Sequence, residues 1–548
     1  MAARTKIFVA CVGLVVSACS GGATEPGSTS ETAAPSSILA GPAAPPASAL
    51  PQTPTSRPPL PLAESDLWAF PGPDHYEGDV LTFQVPIGGF GAYSIGEMAI
   101  SVDGVPLDSE ATLRGDPLLG DVLVFPNAFV TDGGVGGHWV KVTGQLVPER
   151  EIDITQRIVV QPAAGRPRQE LAMRWAVERT ECCNVSYLEE SAAARDLDQV
   201  VGLIDESARR VEEYFGLSLP RVDLVLIDRL WGNGGYAGDE VVVSYLDRDY
   251  SPGRGPTLQQ TVLHELAHAI TDQIEHATPW PLLEGTAVHF AGGHFKPEPL
   301  GPRARALVDR GELPPLVELF VSFPEMQHET RYVAAGALVE YIVVTYGFPA
   351  FLDVLDSDLD QTGGEWLGAA VREALGIDLV ALQTEFTDWV ASHDAASQSE
   401  DLALTIALQE ARRAFQAAYD PYPNYFGYPS VTKTGQDALA MRDPRSPRLV
   451  AVEALIGYAQ DLIITGDFEV AAVAVAEVER VVAEGTVGVG LSAGFLEVAE
   501  ALDDAGYELL EYVPGTQSAL ATRDAPSLTR VDWEIVDGAI VVTGIRSV

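Results

Sequence analysis

The sequence predicts a multidomain chain with an N-terminal β-sandwich, a central α+β domain and a C-terminal region that is mainly helical and ends in strands. The length of 548 residues is enough for three or four domains of ordinary size. Short alternating apolar segments, separated by Gly, Pro and Asp turns, occupy residues 67–162. Helical periodicity takes over within residues 170–395 and continues through much of residues 401–548.

The composition excludes two classes of partner. The chain has 34 Lys and Arg against 78 Asp and Glu, so its formal net charge is −44. A nucleic-acid binder needs a basic surface to displace counterions, and docking on anionic lipid also needs positive charge. We therefore expect neither a nucleic-acid partner nor electrostatic membrane binding.

The N-terminus has the pattern of an export signal. Arg4 and Lys6 precede an apolar run, residues 7–16, that is too short to span a bilayer but suits a signal-peptide core. The next residues, Val16-Ser17-Ala18-Cys19, resemble a bacterial lipobox, which implies cleavage after residue 18 and lipidation of Cys19. The alternative is an ordinary secretory signal with an incidental cysteine. Both interpretations predict an extracytoplasmic protein, and the first predicts one that is lipid-anchored to the cell membrane.

A tether and a β-rich module follow the signal. Residues 19–62 are rich in Pro, Ala, Ser and Thr and carry too few large apolar side chains to order themselves. Residues 67–162 then predict the β-sandwich. Its segment Gly137-His138-Trp139-Val140-Lys141-Val142 resembles a late strand of immunoglobulin-like bacterial modules, which implies an Ig-like sandwich.

The central region, residues 170–395, predicts strands and then helices. We expect strands at residues 184–188, 221–228 and 240–246, the last of them a possible edge strand, with a helix over residues 193–215 between the first two. A long helix over residues 258–275 follows, and further helices continue to about residue 392.

The C-terminal region, residues 401–548, predicts helices over residues 402–418 and 448–485, then strands from about residue 507. Asp537-Gly538 lies between two β-rich segments and predicts a hairpin. An aromatic segment, residues 419–428, is expected to pack between domains, with substrate contact as the alternative.

The cysteines are too sparse for a disulfide scaffold. Of the four, Cys182 and Cys183 are adjacent outside the signal region. Because a bond between neighbours closes a strained ring, two buried thiols are the favoured expectation. A vicinal disulfide or a metal-binding role is the alternative.

Residues 264–268, His264-Glu265-Leu266-Ala267-His268, have the spacing of a metal site. Positions i and i+4 of a helix lie on one face, so both imidazoles can bind one ion. Neutral imidazole suits Zn²⁺, which takes three protein ligands in a catalytic site. Glu265 would lie beside the open coordination position and accept a proton from water. Glu284, in the apolar segment Pro281–Ala287, is the natural third ligand, since a carboxylate in such a segment needs a partner.

Together, the segments 264–272 (HELAHAITD) and 281–287 (PLLEGTA) resemble those of gluzincin metallopeptidases, and most closely the compact peptidase-MA-like group. Thermolysin shares the first motif. A looser likeness covers residues 170–393. The resemblance implies a zincin-like fold, one catalytic Zn²⁺ bound by His264, His268 and Glu284, and Glu265 as general base.

The same resemblance implies three further roles. Asp272 would orient a histidine ligand from behind. The strand at residues 240–246 would be the edge that binds extended substrate, through Val242, Val243 and Ser244. Tyr332 would stabilise the oxyanion. His289 is expected to be structural, and His276 and His294 receive no role.

The function expected from these residues is zinc-dependent hydrolysis of peptide bonds at the cell surface, with a peptide or protein as substrate and the lipid anchor as the sole membrane contact. One alternative is a non-catalytic binding or adhesion lipoprotein on a zincin scaffold, and another is a zinc hydrolase of a non-peptide amide or ester. The sequence indicates neither the oligomeric state nor the role of residues 401–548.

Overall fold

The computed structural model describes residues 67–548 except for 71–73, 89–92, 117–119, 132–133, 167–173, 190, 228–233, 239, 246–255, 274–277, 295, 360–362, 396, 420–445 and 524–526. The predicted signal peptide, Cys19, the tether, His276 and most of the aromatic segment 419–428 lie outside the described residues. The broad prediction is confirmed. Antiparallel sheets occupy the N-terminal half, and the C-terminal half is helical and ends in strands.

The N-terminal module consists of two sheets whose side chains share one hydrophobic cluster. The first sheet has the order β1-β3-β7-β6 and the second β2-β9-β8-β4-β5. Alternation along the strands places one face of each in the cluster, as with Phe83 and Phe125 in the first sheet and Val140 and Val142 in the second. The strands of this module are β1 (Trp68–Phe70), β2 (His75–Tyr76), β3 (Val80–Pro86), β4 (Ser94–Val102), β5 (Val105–Pro106), β6 (Thr112–Asp116), β7 (Gly120–Val130), β8 (Gly136–Val147) and β9 (Arg150–Gln161).

The central region begins with a mixed sheet of order β10-β11-β12-β14-β13. β11, β12 and β14 run parallel, and β10 and β13 pair antiparallel at the two edges. β14 is buried at all four positions, as expected for a strand covered on both faces, whereas β11 is buried at three of six positions and β12 exposes Asp223. The strands are β10 (Trp175–Arg179), β11 (Cys183–Leu188), β12 (Val222–Ile227), β13 (Gly235–Ala237) and β14 (Val241–Ser244).

The expectation that residues 240–246 form an edge strand is wrong. β14 lies between β12 and β13, so its backbone is hydrogen-bonded on both sides. Val242, Val243 and Ser244 are also buried. These three residues therefore cannot pair with a substrate strand, and the edge position belongs to β13.

The helices of the central region pack against this sheet and against one another. The motif helix α3 covers the sheet, and α4 and α7 lie beyond it. The helices are α1 (Ala192–Arg195), α2 (Leu197–Phe215), α3 (Pro256–Thr271), α4 (Trp280–Ala291), α5 (Leu300–Arg310), α6 (Leu316–Val321), α7 (His328–Tyr346), α8 (Phe348–Leu355), α9 (Gly363–Ala374) and α10 (Leu379–Ala391).

In the C-terminal region, the described residues form four helices and a four-stranded antiparallel sheet of order β15-β16-β17-β18. Its first helix, α11, belongs to two cores, because Leu402 and Ile406 pack with the central helices while Leu408 and Phe415 pack with the C-terminal ones. Asp537 and Gly538 have positive φ and form the predicted hairpin turn. The elements are α11 (Ser399–Tyr419), α12 (Pro447–Thr465), α13 (Phe468–Glu484), α14 (Leu491–Asp504), β15 (Glu508–Tyr512), β16 (Ser518–Thr522), β17 (Thr529–Val536) and β18 (Ala539–Ser547).

Two further features concern the predictions. Cys182 and Cys183 form a vicinal disulfide, so the favoured expectation of two buried thiols is wrong. The hydroxyl of Thr180 accepts a hydrogen bond from the backbone N–H of Cys183 and holds this turn before β11. Across the part of the chain that the structure describes, no helix is both long enough and apolar enough to span a bilayer.

Candidate metal centre

The motif helix α3 packs an apolar face on the sheet and places His264 and His268 on another face. Val262, Leu263, Leu266 and Ile270 are buried in the cluster that α3 shares with the central sheet. His264 and His268 are therefore left one turn apart on a different face, as the i, i+4 spacing predicts. Their side chains are 14% and 16% exposed, so each ring is largely shielded but still reaches a cleft.

Three side chains converge at this cleft. His264 Nε2 lies 3.2 Å from Glu284 Oε2 and 3.2 Å from His268 Nε2, and His268 Nε2 lies 3.4 Å from Glu284 Oε2. A tetrahedral zinc site with ligands at 2.0–2.1 Å has ligand–ligand separations of about 3.3 Å. The three donor atoms thus form an almost equilateral triangle of the size that one such ion requires. Imidazole and carboxylate donors also fit the chemistry of zinc.

Close helix packing brings Glu284 to the histidines. A Cβ added at Gly285 on α4 would lie 2.5 Å from the backbone oxygen of Ala335 on α7. A Cβ added at Gly336 would likewise lie 2.5 Å from Val288 Cγ1. The two glycines therefore let α4 and α7 approach more closely than side chains would permit. Glu284, directly before Gly285, is held beside His264 and His268 by this contact.

Glu265 lies beside the triad and is 5% exposed. Burial raises the pKa of its carboxyl group to about 8. The edge strand β13 runs over it, because a Cβ at Gly235 would be 3.0 Å from Glu265 Oε1. At pH 7 this carboxyl group is therefore largely protonated, and a cation held by the triad would favour the ionised form that accepts a proton.

The surroundings shift the pKa values of the two imidazoles of the triad in opposite directions. Burial lowers the pKa of His264 to about 4, so this ring is neutral at pH 7. Burial acts against the charged form of His268, but the charge and hydrogen bond of Glu284, with the charges of Glu265 and Asp272, together outweigh it and raise the pKa of His268 to about 9. Burial opposes ionisation of Glu284, yet His268 and His264 together hold its pKa well below the usual range. Glu284 is therefore an anion at neutral pH.

Tyr332 forms part of the wall of the cleft. Its ring centroid is 6.3 Å from that of His264, and the ring packs on His294 at 4.2 Å and on His328 at 4.5 Å, which are themselves 5.0 Å apart. Burial, reinforced by the charge of Glu284, raises the pKa of the Tyr332 hydroxyl. The hydroxyl therefore stays protonated and is available as a hydrogen-bond donor.

His294 is a residue that the sequence reasoning left without a role. Its ring centroid lies 6.4 Å from that of His264, and its Nδ1 is 2.7 Å from Glu329 Oε2. The tight turn at Gly292 and Gly293 places it there, since a Cβ at Gly293 would be 2.1 Å from the Lys296 oxygen. The sequence offered one indication of this role, the high density of histidines around the motif. It did not indicate Glu329, the partner of His294, which is 35 residues away along the chain.

The other predicted residues have different surroundings. Asp272 directly follows the last residue of α3, and its charge helps to raise the pKa of His268. Among the described residues, however, its carboxylate makes no hydrogen bond to that ring. His289 lies away from the triad, with its Nε2 3.0 Å from the Tyr214 hydroxyl, in an aromatic cluster with Phe290.

Comparisons of the sequence with family models and with curated proteins identify no relative. No protein-family model matches the chain, and no curated protein matches it at a significant level.

Proposed function

We propose that this protein is a zinc-dependent peptidase of the gluzincin type. The single observation that carries the proposal is the triangle formed by His264, His268 and Glu284, with sides of 3.2–3.4 Å. The buried Glu265 beside it supports a hydrolytic role, because a purely structural ion has no need of a neighbouring base. The likeness of residues 264–272 and 281–287 to gluzincins points the same way.

Each residue of the site has a separate role in the proposed hydrolysis. His264, His268 and Glu284 would hold one zinc ion, which supplies a Lewis acid and a water of lowered pKa. Glu265 takes a proton from the attacking water and gives it to the leaving amine nitrogen as the C–N bond breaks. The Tyr332 hydroxyl donates a hydrogen bond to the oxygen that gains charge. Asp272 contributes only through its charge on His268.

The substrate would extend along β13 rather than β14. β13 is the end strand of its sheet among the described strands, and Gly235 in it contacts Glu265. An extended peptide bound beside β13 would therefore have a carbonyl group near both Glu265 and the triad. This places peptide recognition on backbone atoms, which is compatible with many side-chain sequences.

The proposal includes a location at the cell surface. The basic residues Arg4 and Lys6, the apolar run after them and the lipobox-like segment ending in Cys19 support export and lipid anchoring. The Ig-like module and the tether would then hold the peptidase away from the membrane.

The decisive experiment compares the wild type with Glu265→Gln. We would measure zinc per chain by mass spectrometry and cleavage of a panel of denatured proteins. We expect about one zinc in both forms, and cleavage reduced by at least 10²-fold in the variant, because a general base is lost. Glu318→Gln, which changes an exposed carboxylate on α6, is the matched control and should cleave normally.

Other outcomes separate the alternatives. Zinc binding without cleavage of any substrate by either form would favour the binding or adhesion lipoprotein. Cleavage of small amides or esters but no peptides would favour the non-peptide hydrolase. Absence of bound zinc in the wild type would contradict both hydrolase functions and leave only the binding or adhesion lipoprotein.

A further inference from the structure

A group of buried charges lies between the metal centre and the C-terminal region. We call Glu298, Arg303, Glu329, Asp401 and Lys296 the buried charge cluster. All five are less than a tenth exposed, and they come from α5, α7, α11 and the segment before α5. Charges this deeply buried are costly unless they are paired, so each contact in the cluster is needed by its neighbours.

Arg303 is the centre of the cluster and is fully buried. Its guanidinium forms ion pairs with Glu298 at 2.5 Å, Asp401 at 3.0 Å and Glu329 at 3.4 Å. The two nearer carboxylates raise the cost of any movement of Arg303, because displacement would leave a buried charge unpaired. The position of this guanidinium is thus determined from both sides, by the central region and by α11.

On the side of the metal centre, the cluster holds His294 by two atoms. Glu329 Oε2 is 2.7 Å from His294 Nδ1, and Glu298 Oε1 accepts a hydrogen bond from the His294 backbone N–H at 3.2 Å. Both carboxylates also pair with Arg303. The ring of His294 in turn stacks on Tyr332 and lies beside His264.

On the other side, the cluster is anchored in the C-terminal region. Asp401, near the start of α11, pairs with Lys296 at 2.5 Å and accepts a hydrogen bond from the Thr405 hydroxyl at 3.2 Å. Lys296 also donates to the backbone oxygen of Ile463 near the end of α12, at 3.1 Å. Two helices of the C-terminal region therefore contribute to a network that ends at the metal centre.

We propose that Asp401 is a positioning residue for the metal centre: it acts through Arg303 and Glu329 to fix the ring of His294 beside Tyr332 and His264. This gives the C-terminal region a role in the proposed hydrolysis, on which the inference rests. Without the Asp401 charge, Arg303 would shift toward Glu298 and Glu329. The carboxylate of Glu329 would then no longer be held at hydrogen-bond distance from His294 Nδ1.

The experiment compares Asp401→Asn with Glu410→Gln in the full chain. Glu410 lies on the same helix but is exposed, so its variant controls for loss of a charge on α11. Three quantities are measured: zinc per chain, kcat and KM for a denatured protein, and the ¹⁵N signals of the histidine rings. The His294 signals are assigned by their loss in His294→Asn.

We expect Asp401→Asn to retain its zinc and to lose kcat by on the order of 10-fold, with KM changed by less than about 2-fold, as for residues that orient a metal centre from behind. The His294 signals should move in this variant and stay in place in Glu410→Gln. An unchanged kcat, or His294 signals identical to those of the wild type, would overturn the proposal.

Two further arrangements keep the test decisive. If Asp401→Asn does not fold, Thr405→Val removes the hydroxyl that bonds both Asp401 and Arg303 and should produce the same effects at smaller size. If the wild type hydrolyses nothing, the proposed function fails, and the His294 signals alone decide whether Asp401 positions this ring.

Discussion

Gly235 lies directly against Glu265, so that a Cβ at residue 235 would be 3.0 Å from both Cγ and Oε1 of the carboxylate. The same atom would be 2.9 Å from the backbone oxygen of Val242, which is fixed in the sheet. A side chain at residue 235 therefore requires both the Glu265 carboxylate and the β13 backbone to move. The absence of a side chain at residue 235 of β13 thus leaves the space that the proposed general base, Glu265, occupies.

Gly235→Ala should displace Glu265 and lower kcat. A shift of about 1 Å in a catalytic group can cost on the order of 10²-fold, and we expect a loss of about 10-fold or more with zinc retained. Gly238→Ala is the control, because a Cβ there meets nothing within 4 Å. Equal activity of both variants would show that Glu265 tolerates the added methyl group.

Zinc should stabilise the central region, because the three ligands come from two separate helices that the ion would link. At free zinc a hundred times the dissociation constant, the expected gain is about 2.7 kcal/mol. Calorimetry should record a higher transition temperature on adding zinc to metal-free protein. Glu284→Ala should abolish this increase, whereas His138→Ala, in the N-terminal module, should retain it. An increase of the same size in Glu284→Ala would argue against Glu284 as a ligand.

Tyr332→Phe should lower kcat by on the order of 10²-fold with KM little changed, since a donor to the developing oxyanion acts mainly in the transition state. The ring is retained, so its packing on His294 and on His328 is preserved. Tyr341→Phe serves as the comparison, because that hydroxyl donates to Glu385. If both phenylalanine variants lose the same activity, the effect comes from packing and not from a hydrogen bond to substrate.

His289 should make stability depend on pH. Burial lowers its pKa in the folded protein to about 4, below the ordinary value of 6.5. Between these values the unfolded chain binds a proton that the folded chain does not, so stability decreases as pH falls from about 6.5 to 4. The contribution is on the order of 2 kcal/mol.

Urea unfolding at pH 7 and pH 4.5 measures this effect. His289→Gln cannot take up the proton, so its stability should change less between the two pH values than that of the wild type. Parallel losses in the wild type and the variant would rule out His289 as a source of the pH dependence.

The candidate site was largely predictable where its geometry is local. His264 and His268 are one helical turn apart, and a helix makes that spacing a contact without help from the rest of the fold. Glu284 lies on the next helix, and its carboxylate within an apolar segment signalled a partner. The edge strand was not predictable. β13 has only three residues, and its pairing with β14 depends on how the strands assemble in the folded sheet. The bonded state of Cys182 and Cys183 was also beyond the sequence pattern.

The sequence by itself determined the residue types and the spacing of the metal motif, the helical and strand character of most segments, and the acidic charge of the chain. The tertiary structure alone decided which strand lies over Glu265 and which groups surround His294. The reason is physical: contacts within one or two helical turns follow from backbone geometry. By contrast, Glu298, Glu329 and Asp401 meet at Arg303 only because separate helices pack at one place in the folded chain.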